Sequence, residues 1–313
     1  MSTVRQQAPV QIGRILTAKR PRPPRIGGEW WRHLIAIVAV GIAIFPIIYV
    51  VSAAFNPDPT LSSSTLLPRR VTLKNFEEIL SGKVLGAGGR VFEAPYLNWY
   101  ANSIIVSGCA SFLNVFLGAL AAYAFSRFRF RGRRMGMLTL LLIQMFPQFL
   151  ALVAIYLILL NVGKIFPIIG LNTLTGLILV YLGGAMGVNA WLMKGFFDTI
   201  PSELDESARV DGATPAQVFW GVVLPLAAPV LAVVALISFI TTLNELVLAS
   251  ALLQTQEKFT LPVGMQGFVD QQYAEQWGPF AAGVLLAAVP VVALFMFLQR
   301  FIVHGLTRGA VKG

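Results

Sequence analysis

The sequence predicts an all-α, polytopic membrane protein with six transmembrane helices and both termini in the cytoplasm. Three observations lead there. Of 313 residues, 56% are hydrophobic and only 12% are charged, whereas a soluble domain carries about 25% charged residues. Six apolar stretches, at residues 33–54, 101–124, 136–160, 174–196, 218–250 and 279–303, reach the roughly 20 residues a helix needs to cross the hydrocarbon core. The lysines and arginines are also divided unevenly among the segments that join these stretches. A surface this poor in charge would not stay hydrated, so lipid is the surroundings the composition implies.

Residues 1–32 hold seven Lys or Arg together with Pro21, Pro23 and Pro24, without apolar periodicity. They read as a basic, disordered cytoplasmic tail lying against anionic headgroups. The first apolar stretch starts too late and runs too long for an ordinary cleaved signal peptide, so it is expected to be retained. Residues 33–98 then comprise the first transmembrane helix and a polar extracytoplasmic loop. That loop carries Pro57, Pro59, Pro68, Gly86, Gly88 and Gly89, and has room for a short helix around Leu73–Leu80. Residues 99–303 form one continuous transmembrane core, and 304–313 a cytoplasmic tail. No internal repeat is visible.

Orientation follows from the cationic side chains. With the N-terminus inside, segments 1–32, 125–135, 194–216 and 299–313 carry 17 of the 24 Lys and Arg. Five of these, Arg127, Arg129, Arg131, Arg133 and Arg134, crowd one short loop. Trp99, Tyr100 and Trp277 fall at the outer interface and Trp30 and Trp31 at the inner one, as an aromatic belt would.

Other classes of function are excluded by what the chain lacks. The single cysteine, Cys109, cannot form an intramolecular disulfide; between Gly108 and Ala110 it reads as a buried small residue. His33 and His304 have no carboxylate or cysteine at ligand spacing, so no metal site is expected. The net charge of +10 sits beside apolar spans without interleaved aromatics, which argues against nucleic acid. Two histidines and one cysteine, all near or inside separate spans, give a membrane enzyme little to work with.

The most informative segment is the polar loop 198–216. Asp198, Glu203, Asp205, Glu206 and Asp211 fall within it. Pro201-Ser202-Glu203 resembles a helix start, with carboxylates at the positive dipole end. Glu206 is expected to begin a short helical turn that Gly212 ends, because glycine tolerates the left-handed conformation. Thr214-Pro215 then opens the next helix. Pro225 and Pro229 each remove a backbone hydrogen bond from the following apolar run, which makes a compliant joint. The product is helix, sharp turn, helix, joint.

Glu206-Ser207-Ala208, then Gly212, then Val222-Val223-Leu224-Pro225 resembles the coupling loop of ATP-binding-cassette (ABC) importer permeases, where Glu-Ala-Ala precedes Gly and Ile-x-Leu-Pro. Ser207 and Val222 depart from that pattern, conservatively in size. Ala121-Ala122-Tyr123-Ala124-Phe125-Ser126-Arg127, Gln144-Met145-Phe146-Pro147, Gly170-Leu171-Asn172-Thr173 and Tyr181-Leu182-Gly183-Gly184 are similar to carbohydrate-importer permeases. Asp211-Gly212-Ala213-Thr214-Pro215, Thr260-Leu261-Pro262-Val263-Gly264-Met265-Gln266 and residues 305–313 resemble the smaller, G-type permease of maltose/maltodextrin importers. The likeness covers about residues 33–313.

The resemblance implies the type I ABC importer permease fold in a bacterial cytoplasmic (inner) membrane. It also implies a heterocomplex with a second, F-type permease, a cytosolic ATPase homodimer and an extracytoplasmic sugar-binding protein. Glu203, Glu206, Ser207, Ala208, Asp211, Gly212, Ala213, Leu224 and Pro225 would form the coupling element that meets the ATPase. No phosphate loop occurs here, since Gly82-Lys83 is followed by Val84. ATP and Mg therefore belong to the partner ATPase, and this chain is expected to bind no cofactor. The implied cargo is maltose or maltodextrin; trehalose or another oligosaccharide would use the same machinery.

Residues for the translocation path are less sharply marked. Glu245 is the lone ionisable residue of the fifth apolar stretch and reads either as part of the path or gate or as a helix-end carboxylate in contact with water. An ion-coupled secondary transporter would need a second buried charge or an inverted repeat, and neither is evident. Asn102, Asn114, Gln144, Asn172, Asn189, Trp191 and Asn244 have suitable chemistry for a sugar path, and equally suitable chemistry for satisfying a neighbouring helix. Gln254, Gln256 and Lys258 lie in an external segment, 251–278, short enough to probe the cleft of a binding protein.

Overall fold

The computed structural model describes residues 30–57, 70–85, 91–268 and 277–310. The basic tail through residue 29, the Pro59, Pro68 and Gly86–Gly89 parts of the external loop, and residues 311–313 lie outside the described residues. The chain divides into two units, residues 1–47 and 48–313. Helix α1 (Trp30–Ala54) has Pro46 within it, and its side chains before residue 49 are exposed.

In the second unit, α2 (Lys74–Ser81) falls where the sequence leaves room for a short helix. Asn75 on it is buried and donates to the carbonyls of Ala54 (2.9 Å) and Asn56 (2.8 Å). A purely α-helical chain is corrected at the next step. Strands β1 (Lys83–Leu85) and β2 (Val91–Glu93) pair antiparallel with Val84 opposite Phe92. Valine and phenylalanine suit a pleated, half-buried surface, and Val84 is fully buried.

Helix α3 (Tyr96–Arg127) is the axis of the unit, packed against α6 and α10 below. Ser103, Ser107, Ser111 and Asn114 form a buried polar stripe along it. Ser111 donates to the Ala235 carbonyl (2.9 Å), Asn114 to the Ser238 hydroxyl (3.3 Å), and Ser103 accepts from the Leu261 N–H (2.6 Å). Small polar side chains of this kind let helices approach closely and hydrogen-bond in an apolar medium.

The next spans are broken where the sequence suggests continuous ones. Helix α4 (Arg133–Met145) and α5 (Leu152–Ile165) meet at 82° across Phe146-Pro147, because the residue before proline is driven out of the helical region. Helix α6 (Leu174–Phe197) bends by 52° between Gly183 and Gly187. The coupling segment contributes α7 (Ser202–Val210) and α8 (Pro215–Val218); a π-helical stretch (Phe219–Val223) leads to α9 (Leu224–Leu226). Helix α10 (Ala228–Leu243) leaves α9 at 76°. Helices α11 (Val247–Leu252), α12 (Leu261–Gln266) and α13 (Trp277–Ala310, with Pro290 inside) complete the chain.

Among the described residues, Trp30–Ala54, Tyr96–Arg127 and Trp277–Val303 are each long and apolar enough to cross a membrane; the bent pairs raise the count to as many as six. Two side chains depart from their expected surroundings. Cys109 is exposed rather than buried, because it lies on the side of α3 opposite the buried stripe of Ser107, Ser111 and Asn114; in an apolar span, hydropathy does not distinguish core from periphery. Trp99 is buried rather than interfacial: it donates to the Gln256 carbonyl (2.8 Å) and lies flat on Gly264, where an added Cβ would come within 2.2 Å of the indole. Asn172 has a positive φ of 56°, which asparagine tolerates better than most residues.

Candidate coupling site

Helix α7 starts at Ser202 and not at Glu206, which lies inside it. Its first turn carries Glu203 and Asp205, but no side chain caps it, so the expected polar cap is corrected to a dipole contribution alone. The end is built as the sequence suggests. Gly212 has φ of +88°; its N–H donates to the Arg209 carbonyl (3.0 Å) and that of Ala213 to Ala208 (2.9 Å). These two bonds make a Schellman motif, which satisfies carbonyls the helix would otherwise leave open. One residue later Thr214 caps α8 with a reciprocal capping box to Gln217, with Pro215 at the first position. Two rigid pieces thus meet at a fixed corner.

The corner has two faces. Asp205 is buried, and Ala208 and Ala213 pack on a cluster of Tyr123, Phe197, Val218 and Phe219. Glu203, Glu206, Ser207, Asp211 and Gly212 are exposed, and Val210 is 87% exposed. An acidic, solvent-facing ridge with one bare valine is therefore presented outward. Val210 was not singled out by sequence; an apolar residue between Arg209 and Asp211 gives only a weak signal.

Beyond α8 the backbone widens. The Leu224 N–H donates to Phe219, five residues back, and Pro225 has no N–H to give. Single-turn π segments of this kind recur at functional sites. The following 76° bend falls at Ala227 between Pro225 and Pro229, where the sequence suggests a joint.

The segment before α7 is also held electrostatically. Burial pushes the Asp198 carboxyl up, but hydrogen bonds from Lys194 and Ser126 and the charges of Lys194 and Arg133 outweigh that and hold it below its usual value of 3.8. Arg127, read from sequence only as an orientation charge, places its Nε 2.8 Å from Asp205 Oδ2, with the two side chains 9% and 3% exposed. Neither member of that pair stands among the sequence candidates for coupling.

The remaining candidates are distributed through the rest of the second unit. Glu245 caps α11: its Oε1 accepts the Leu248 N–H (2.8 Å), and its Oε2 accepts the Ala249 N–H (3.0 Å) and the Tyr181 hydroxyl (2.6 Å). Asn172 joins two loops, accepting from the N–H groups of Gln254 (2.9 Å) and Thr255 (3.1 Å). Gln254, Gln256 and Lys258 are exposed; the Gln256 amide donates to the Glu93 carbonyl (2.8 Å) and the Gln254 amide to the Tyr156 hydroxyl (3.3 Å). Asn102 donates to the carbonyls of Glu257 (2.8 Å) and Phe259 (3.0 Å). Asn114 is spent on Ser238, and Asn244 on its own helix at Ile240 (2.8 Å). Gln144 faces an apolar cavity of about 510 Å³, also lined by Ile155, Leu159, Val180 and Leu248. These residues do not converge on one pocket. Among the described residues no group of three or more His, Cys, Asp or Glu could hold a metal ion.

The site is thus a rigid exposed corner followed by a π segment and a sharp bend, within an array of apolar helices. Residues 114–308 match the family of the binding-protein-dependent transport system inner membrane component. The chain belongs to that family. It is 40% identical over 287 residues to the maltose/maltodextrin transport system permease protein MalG of Vibrio parahaemolyticus, covering 91% of this chain and 96% of that one. It is 39% identical over 280 residues to the galactooligosaccharides transport system permease protein GanQ of Bacillus subtilis, covering 90% and 94%. The fold is shared with a chain of a bacterial ABC transporter involved in the import of the acidic polysaccharide alginate, at a TM-score of 0.68 and 23% identity, covering 87% of this chain and 96% of that one.

Proposed function

We propose that this chain is one of two permease subunits of an ABC importer that carries maltose or maltodextrin across the bacterial inner membrane. The observation that carries the coupling role is the fixed corner at Gly212, with its acidic outward ridge and the joint at Ala227 behind it. In this reading the chain spans the membrane six times with both termini in the cytoplasm, each bent pair counting as one span. The ridge of Glu203, Glu206, Ser207 and Val210 then faces the cytosol and seats in a groove of the ATPase homodimer, which binds and hydrolyses ATP with Mg. The permease itself performs no catalysis. Ala208 and Ala213 hold the corner against the core while Leu224 and Pro225 lie within the flexing stretch that starts at Phe219.

The cavity beside Gln144 offers that one polar side chain, too few groups to hold an oligosaccharide by hydrogen bonds. This favours a path completed by the second permease. Gln254, Gln256 and Lys258, on the opposite side, face the extracytoplasmic binding protein. The similar identity to a galactooligosaccharide permease supports a second reading, the same machine with a different oligosaccharide, trehalose included.

Uptake of labelled maltose, trehalose and galactooligosaccharide by cells lacking only this chain, before and after its restoration, tests both. Loss and recovery of maltose uptake alone supports the first reading. Loss of another sugar alone transfers the assignment to that cargo, and no loss of any of them leaves the sugar assignment without support.

A further inference from the structure

Three side chains at one end of α3 reach into the coupling segment at separate points. Tyr123 donates its hydroxyl to the Pro215 carbonyl (3.2 Å). Ser126 donates to Asp198 Oδ1 (2.7 Å). Arg127 donates from Nη2 to the Ile200 carbonyl (2.9 Å) while its Nε meets Asp205 Oδ2. Residues 123, 126 and 127 share a helix face, since positions three and four apart are neighbours. The three acceptors and the ion-pair partner fall on both sides of Gly212: before α7, within it, and at the start of α8. Tyr123 also packs at a tilt against Phe219 of the π segment, ring centroids 4.9 Å apart.

We infer that Tyr123, Ser126 and Arg127 form a latch that makes the whole corner move as one body with α3, and that Arg127 and Asp205 are positioning residues for energy coupling. Resting on the transporter reading above, this specifies the helix that receives the motion. Arg127 Nε and the remaining Asp205 oxygen, Oδ1, are both buried without a hydrogen-bond partner among the described residues, so the pair is held by charge, with Arg127 as the counter-ion at 2.8 Å. A buried ion pair is a weak source of stability but strongly disfavours separation of its members. Ser126 and Tyr123 restrain the flanks, which a single ion pair would leave free to pivot. Displacement of the ridge therefore tilts α3, and the flexing is confined to residues 219–227.

The test uses the complete transporter reconstituted with its ATPase, second permease and binding protein. With Cys109→Ser as background, spin labels at Ala216→Cys, exposed on α8 away from the ridge, and Phe112→Cys on α3 report one distance, read without nucleotide and with a non-hydrolysable ATP analogue. The latch predicts an unchanged distance in otherwise wild-type protein. It also predicts a shifted or broadened distance in Arg127→Gln and Asp205→Asn, with ATP hydrolysed per sugar raised about tenfold. Asp205→Glu, which keeps the charge, is expected to retain most of the coupling, as a merely structural loss would not require. A change of more than about 5 Å in the unsubstituted latch, the size of a one-turn shift between packed elements, overturns the proposal. So does an unchanged distance and stoichiometry in an assembled Arg127→Gln complex. If the two substitutions prevent assembly, the distance in the intact latch still decides. If the wild-type complex imports no tested sugar, the cargo assignment fails, and the distance measurement, which needs no cargo, decides the latch separately.

Discussion

At Gly212 the backbone alone dictates the outcome. Its φ is +88°, against about −65° for proline, and its N–H is committed to Arg209. Gly212→Pro is expected to leave membrane insertion intact and to abolish ATP-driven uptake, which parallel blots and uptake assays would establish. Glu245 gives a contrasting case: its carboxylate accepts two N–H groups at the start of α11 and the Tyr181 hydroxyl. Glu245→Ala should lower stability by about 1–2 kcal/mol, seen as a lower melting temperature of the detergent-solubilised complex, and restoring uptake would not require any particular cargo. Asp198 supplies a pH signature. Because its folded value lies below 3.8, its contribution is fully present above the unfolded value and disappears as pH falls through the folded one. Wild type and Asp198→Asn should therefore differ in melting temperature at pH 6 and converge only when the medium is more acid than about pH 4. Sequence makes Gly212 legible because a left-handed turn selects glycine. It leaves Arg127 and Asp205 illegible, because a cation near a span boundary has an orientation role whether or not it later finds a buried carboxylate.

Among elements, the run from Pro215 to Leu243 departs clearly from what hydropathy suggests. A window of apolar residues reports the solvent and not the path of the backbone, so a bend of 76° leaves no trace in it except Pro225 and Pro229. The same holds at Phe146-Pro147, where the sequence suggests one span and the structure turns by 82°. The coupling corner, in contrast, is legible in nearly every piece, since caps and turns depend on residue types at fixed offsets. Removing Pro225 should shift the balance at the joint. Pro225→Ala restores an N–H able to bond four residues back and allows the π turn to relax toward an α-helix. The expected result is a slower maximal uptake with unchanged association of the ATPase, measured as kcat for transport beside co-purification.

For the whole molecule, orientation is the open quantity that the charge asymmetry addresses. Cysteine placed at Arg129, which is exposed, in a Cys109→Ser background should react with a membrane-impermeant maleimide only in inverted vesicles. Lys258→Cys should react only in right-side-out ones. Equal labelling of either position from both sides would contradict the assigned topology. The serine stripe of α3 gives this architecture a mechanical character. Ser111 and Asn114 hold α10 at Ala235 and Ser238, and Ser103 holds the start of α12. Sliding α3 along these neighbours would strand hydroxyls and carbonyls in hydrocarbon, which costs more than leaning the helices together. The elastic response is therefore anisotropic: the array resists axial shear and yields to rocking. Amide exchange should consequently stay slow along Ser103–Asn114 throughout the transport cycle, while it quickens around Phe219–Ala227 whenever nucleotide turns over.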